Sequence, residues 1–219
     1  MTWHCNFGRK LDNRGFTILE LLIATGILSG ILVMMTVMIT GIGNLYYKGI
    51  AQSQTQDTTR TIVRELTQAI QLNKGVPRTG STTKNVNGTD YTISAICVGT
   101  TRYSYVINLQ VGPSGIMHGL WRNSVGSGAP CSPMDLTTDL ATSDTTGGEL
   151  LGQRMRLTEM QPATQSAVNP VLYSIKVSLA YGDDDVLNLS GYDTTCKGGA
   201  GGQFCATDRL TSSAIQRIN

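Results

Sequence analysis

From Leu21 to Tyr47 the chain runs for 27 residues with no ionisable side chain other than two tyrosines. As a helix rising 1.5 Å per residue, this stretch would span about 40 Å, more than the roughly 30 Å hydrocarbon core of a bilayer. A secretory signal peptide has a shorter apolar region closed by a small-residue cleavage site. Here a polar leader precedes the run and nothing like A-x-A follows it, which predicts a retained membrane helix. Arg9, Lys10 and Arg14 lie before the run, and Lys48 is the only nearby positive charge beyond it. The leader is therefore expected to stay cytoplasmic and the remainder to be exported.

One carboxylate breaks the pattern. Glu20 sits near the start of "RGFTILELLIATGILSGILVMM", residues 14 to 35. An acid inside a bilayer costs at least a few kcal/mol, although the helix dipole and a place near the interface soften this. It needs a cation, and the run supplies none. Cutting the chain between Gly15 and Phe16 would create an ammonium at Phe16, one helical turn from Glu20 or within reach of another subunit's Glu20. Glycine at the last leader position suits a protease that needs close backbone approach.

These residues resemble the processing and assembly signature of type IV pilins and type II secretion pseudopilins, the class III signal peptide. The resemblance implies that a prepilin peptidase cuts after Gly15 and methylates the new amino terminus at Phe16, and that Glu20 helps bring the subunit into a filament. It implies a chain that sits in the bacterial inner membrane by a single pass, head exported, and then enters a cell-surface pilus or a periplasmic pseudopilus. Its implied partners are other pilin subunits, the peptidase and the inner-membrane assembly machinery. Two departures stand out: Ile18 and Leu19 invert the usual order before the glutamate, and no proline lies between Phe16 and Val76. Gly26, Gly30, Gly41 and Gly43 are the alternative sources of flexibility, and Gly26 and Gly30 form a G-x-x-x-G pair.

Beyond Tyr47, Ile62, Val63, Leu66, Ala69 and Ile70 recur at helical spacing. The polar link "AQSQTQDTTRT" has few breakers, which predicts one long helix from about Thr17 to Leu72, ending at "NKGVP" where Gly75 can cap. Strand patterns follow. In "RYSYVINLQV" Tyr103, Tyr105, Ile107, Leu109 and Val111 alternate with polar residues, interrupted only by Val106. "GPSG" reads as a turn and "IMHGLWR" as the returning strand. "YTISAICV", "QRMRLTEM" and "VLYSIKVSLAY" are further strands, while residues 73 to 90, 123 to 148 and 197 to 203 read as surface loops. The expected class is α+β, a pilin-like fold with a long N-terminal helix packed on an antiparallel sheet bearing disulfide-closed loops. Its expected parts are a leader (1–15), a transmembrane and filament-core helix (16–47) and an exported head (48–219). The head also resembles the larger minor pilins and J-type minor pseudopilins in "GLWR", the "GELLG" segment, a long strand ending at "LAYG", and the terminal "DRLTSSAIQRIN".

Removing the leader would discard Cys5 and leave Cys97, Cys131, Cys196 and Cys205, an even number in an exported head. Of the three possible pairings, Cys97 with Cys131 and Cys196 with Cys205 are favoured, because the first pair flanks the expected hairpin and the second encloses a short glycine-rich loop. A zinc site is the rival, but the head has no C-x-x-C and its sole histidine is His118. Asp183, Asp184 and Asp185, with Asn188 or Asp193, form the one weak calcium candidate; the run does not fit an EF-hand loop. No cofactor is expected.

The formal net charge is +2, and loss of the leader leaves 14 basic and 14 acidic residues, three and one fewer than in the whole chain. That balance shows no basic field for nucleic acid. A lone histidine without a partner motif gives little basis for catalysis, so an enzyme is not expected. Two functions remain. The chain is either a minor structural subunit that primes or caps a pilus or pseudopilus, or a tip-presented module for adhesion or for capture of DNA or protein. The loop-rich head favours a minor subunit, because bulky loops at every filament position would crowd neighbours.

Overall fold

The computed structural model describes residues 16–73, 75–86, 88–111, 117–138, 140, 146–165, 172–190, 193–199 and 201–217. The leader with Gly15, and the expected turn at 112–115, lie outside the described residues. The chain divides between Asn44 and Leu45 into two compact units.

One helix, α1 (Ile18–Leu72), runs from the first unit into the second. In the first unit its large apolar side chains are all exposed, from Ile18 at 83 % to Ile42 at 63 %. This is a helix long and apolar enough to cross a membrane by length and composition. All four serine and threonine side chains within the apolar stretch turn back on the helix itself. Thr25 donates to the Leu21 carbonyl, Ser29 to Gly26, Thr36 to Leu32, and Thr40 to Thr36. Bonded in this way, they offer no unpaired donor to an apolar environment.

In the second unit the helix acquires a buried face: Ala51, Thr55, Thr59, Ile62, Val63, Leu66 and Ile70. The steps of three and four residues put them on one stripe. Its first half was concealed by polarity, since Thr55 and Thr59 lie inside the stretch that reads as a polar link. Both are fully buried because each hydroxyl bonds the carbonyl one turn back, Ala51 and Thr55 respectively, at 2.7 Å.

Among the described residues ten strands follow: β1 (Arg78–Val86), β2 (Thr89–Val98), β3 (Thr101–Val106), β4 (Leu120–Ser124), β5 (Gly148–Glu149), β6 (Met155–Gln165), β7 (Leu172–Tyr181), β8 (Leu187–Ser190), β9 (Asp193–Cys196) and β10 (Ala206–Ile215). They form an antiparallel sheet in the order β1-β2-β3-β4-β5, a second in the order β10-β7-β6, and the hairpin β8-β9. The main core lies between α1 and the two larger sheets. Ile62, Leu66 and Ile70 from the helix meet Ile96, Tyr103 and Leu120 of the first sheet and Leu157, Ile175 and Leu179 of the second. Burying each such side chain contributes roughly 1.5–3 kcal/mol. The chain is thus α+β, consistent with a pilin-like fold.

Two expected loops are structured. Within residues 73–90, β1 pairs along its length with β2, from Arg78 opposite Cys97 to Val86 opposite Thr89. Residues 131–138 and Leu140 cover the outer face of the first sheet, where Leu136 and Leu140 pack with Ile93, Val106 and Trp121 in a second core. That core explains the break in alternation at Val106: β3 is buried on both faces, with Tyr103 and Tyr105 towards α1 and Ser104 and Val106 away from it.

Candidate functional site

The residues singled out at the chain's start come from the first turn of α1. Thr17 precedes the helix, and its hydroxyl oxygen accepts the Glu20 backbone N–H at 3.2 Å. That is an N-cap, and with Glu20 three residues on, the sequence Thr-Ile-Leu-Glu has the form of a capping box. Sequence reasoning singled out Glu20 and took Thr17 only as the expected start of the helix, not as its cap, although the T-x-x-E spacing was there to show it. The turn does two things for Glu20: it places the carboxylate where free backbone N–H groups and the positive helix end favour an anion, and it leaves Phe16 outside the helix as a short extension. Phe16 is 80 % exposed.

In the head, the sulfurs of Cys97 and Cys131 are bonded at 2.07 Å and those of Cys196 and Cys205 at 2.03 Å. The first bond ties the covering segment to β2. There Gly80 of β1 passes so close to the Cys131 carbonyl that a side chain would collide with it. The second bond closes the turn that leads into β10.

Two of the three aspartates of the calcium candidate, Asp183 and Asp184, face protein cations. Asp183 pairs with Arg154 and accepts a hydrogen bond from the Gln110 amide at 2.8 Å. Those two hydrogen bonds, Arg154's above all, hold its carboxyl below the usual aspartate range. Asp184 lies 2.6 Å from the guanidinium of Arg156, whose side chain is buried and also donates to Gln110 and to the Gly182 carbonyl. Among the described residues, no three His, Cys, Asp or Glu side chains converge as a metal site would require.

His118 is buried just before β4, edge-on to Trp121 with ring centres 4.6 Å apart. Its Nδ1 is 3.2 Å from Glu149, within ion-pair range but not aligned as a hydrogen bond. Glu149 is already engaged, accepting the backbone N–H groups of Gly119, Leu120 and Leu151 at 3.0 Å each. This arrangement fastens β4 to β5 beneath the surface. A buried acid, Glu159, faces Lys176 at 2.9 Å and Arg209 at 2.8 Å. Burial pushes its carboxyl up, but the Lys176 hydrogen bond and the Arg209 charge outweigh that and leave it below the usual range. Tyr103, desolvated in the core and bonded to Glu65, is pushed well above an ordinary phenol.

Compared with known protein families, curated proteins and solved structures, the chain finds no match.

Proposed function

We propose that this chain is a minor structural subunit of a type IV pilus, made as a precursor, trimmed by a prepilin peptidase between Gly15 and Phe16, and placed at or near the filament tip to prime assembly. The observation that carries the reading is one continuous feature: Gly-Phe-Thr-x-x-Glu opens a capped helix whose apolar half is covered by none of the described residues. So large an apolar surface demands an apolar partner. Lipid supplies it in the inner membrane before assembly, and the helices of other pilin subunits supply it afterwards. Glu20 adds direction. While the Gly15–Phe16 bond is intact it has no cation within its own segment, and cleavage creates one at Phe16 that can reach Glu20 of the same or an adjoining subunit. Trimming thereby converts a membrane protein into an assembly-competent one.

A second reading, a minor pseudopilin of a type II secretion system, draws support from the head. The "GLWR", "GELLG" and "LAYG" segments that resemble J-type minor pseudopilins fall on β4, on β5 and its exit, and at the end of β7. Both readings share the processing chemistry and differ in the filament joined.

Mass spectrometry of the native protein tests the shared part. The amino terminus is expected at Phe16, N-methylated, and Gly15→Glu is expected to retain the leader. Glu20→Ala is expected to be trimmed normally yet to be missing from sheared filaments. A functioning protein that still begins at Met1 overturns the proposal, as does a Glu20→Ala chain incorporated like the wild type.

A further inference from the structure

Phe204 is an apolar ring held outward by a rigid support. It ends a one-turn 3-10 helix (Gly202–Phe204) entered through Gly201 in the left-handed region at φ +94°, and its N–H donates to the Gly201 carbonyl at 2.9 Å. The next residue, Cys205, is buried, disulfide-bonded to Cys196 and packed on Ala180, Val186 and Leu187. Phe204 nevertheless remains 38 % exposed, and the ring it meets is Tyr47 of α1, 5.4 Å away between centres. Tyr46 lies 6.0 Å from Tyr47, and these two are 65 % and 52 % exposed. Three exposed aromatic rings therefore form one patch, two from the helix and one from a disulfide-closed loop, with the exposed Lys48 next to Tyr47 in sequence.

We propose that this patch is a membrane-surface contact, in which the Cys196–Cys205 loop presses Phe204 into the headgroup layer beside Tyr46 and Tyr47. The inference rests on the reading that the apolar segment spans a bilayer. With Leu21 at the inner edge of the hydrocarbon, a helix rising 1.5 Å per residue leaves it near Gly41 and carries Tyr46 and Tyr47 about 8–9 Å further, to the outer margin of a headgroup layer about 5–8 Å thick. Tyrosine rings are enriched at that depth, where an apolar body and a polar hydroxyl are both satisfied. Phe204 touches one of those rings, so it stands at the same depth. Lys48, next to Tyr47 on the same helix, complements anionic headgroups. Continuity with the spanning segment, together with that cation, favours lipid over a protein partner. The loop then gives the head a second point of attachment to the membrane.

Photo-crosslinking of the full chain in nanodiscs of phosphatidylethanolamine and phosphatidylglycerol tests this, with p-benzoylphenylalanine placed at Phe204, at Ile31 in the apolar helix, or at Ile215. Ile215 is exposed and nine residues along β10 from Ala206, about 30 Å at strand spacing. Lipid adducts are expected at positions 204 and 31 and not at 215. Adducts at 31 alone, or a cross-link from 204 to a second copy in place of lipid, overturn the loop contact while leaving the spanning helix in place. Equal labelling at 204 and 215 means indiscriminate adsorption and also overturns it. Absence of lipid adducts at both 31 and 204 removes the spanning helix itself, and the proposal with it.

Discussion

Glu159 shows how a single buried charge is kept. It is 4 % exposed, and a carboxylate that dry is tolerated because Lys176 and Arg209 flank it and Ser178 and Gln161 donate to it. The cross-strand register makes the cluster possible, since Glu159 and Arg209 both stand opposite Ser178. Its folded pKa lies below the unfolded value, so protons bind the unfolded chain preferentially as the pH drops. The stabilisation is therefore full above the unfolded glutamate's pKa of about 4.3 and is lost as the pH falls through the lower folded value. Glu159→Gln should cost about 1–3 kcal/mol at neutral pH, because two cations lose their partner while the amide keeps some hydrogen bonds. The deficit should shrink in acid. Urea unfolding of the full chain in detergent, followed by tryptophan fluorescence at pH 7 and pH 3, measures both; an equal deficit at the two pH values would show that charge is not what Glu159 contributes.

At the scale of elements, the two disulfides do unequal work. Cys97 and Cys131 are 34 residues apart and Cys196 and Cys205 only 9, so in the chain-entropy model their closures contribute about 4 and about 3 kcal/mol. Paired substitution to alanine should cost more for the first bridge by roughly 1 kcal/mol. It should also loosen the segment that carries Leu136 over Trp121, shifting tryptophan emission to the red, whereas loss of the second bridge should leave that emission in place. Identical spectra from the two double variants would refute the assignment of the second core. Much of this architecture was readable. The helix, β2, β3 and β7 declare themselves because their apolar residues follow the period of a buried face. Strands β1 and β10 do not, since β1 is exposed at most positions and β10 buries only Ala206 and Ala214 among polar neighbours. Edge strands held by backbone pairing leave little hydrophobic pattern, although the Asn87-Gly88 dipeptide, a hairpin signal, stood between β1 and β2. The covering segment was hidden for a different reason: a few apolar residues among Gly, Pro and Ser carry no period at all. At the chain's start, Glu20 was legible because a charge in an apolar run is conspicuous; Thr17 was not, because a cap is visible only through its spacing.

The whole molecule divides its labour along α1. Every helix residue in the main core, Ile62, Val63, Leu66 and Ile70, lies beyond Lys48, and the buried face of the helix begins only at Ala51. Both disulfides and all ten strands also lie beyond it. The residues before it contribute nothing to either hydrophobic core described for the sheets. A fragment comprising residues 48–219 therefore keeps both sheet cores and both disulfides, loses the contact of Tyr47 with Phe204, and sheds the apolar surface that would drive association. It should be monomeric without detergent by size-exclusion chromatography, form both disulfides, and give the near-ultraviolet circular dichroism of the full chain in micelles. The full chain without detergent should aggregate. The cost to the fragment falls on the first turns of its helix, where Ala51, Thr55 and Thr59 lose the preceding turns and gain fraying ends. Hydrogen exchange should consequently be faster there than in the full chain and unchanged around Ile62 to Ile70. A fragment that is unfolded or molten would show that the apolar half of α1 is needed to build the head, contrary to the separation of the two units.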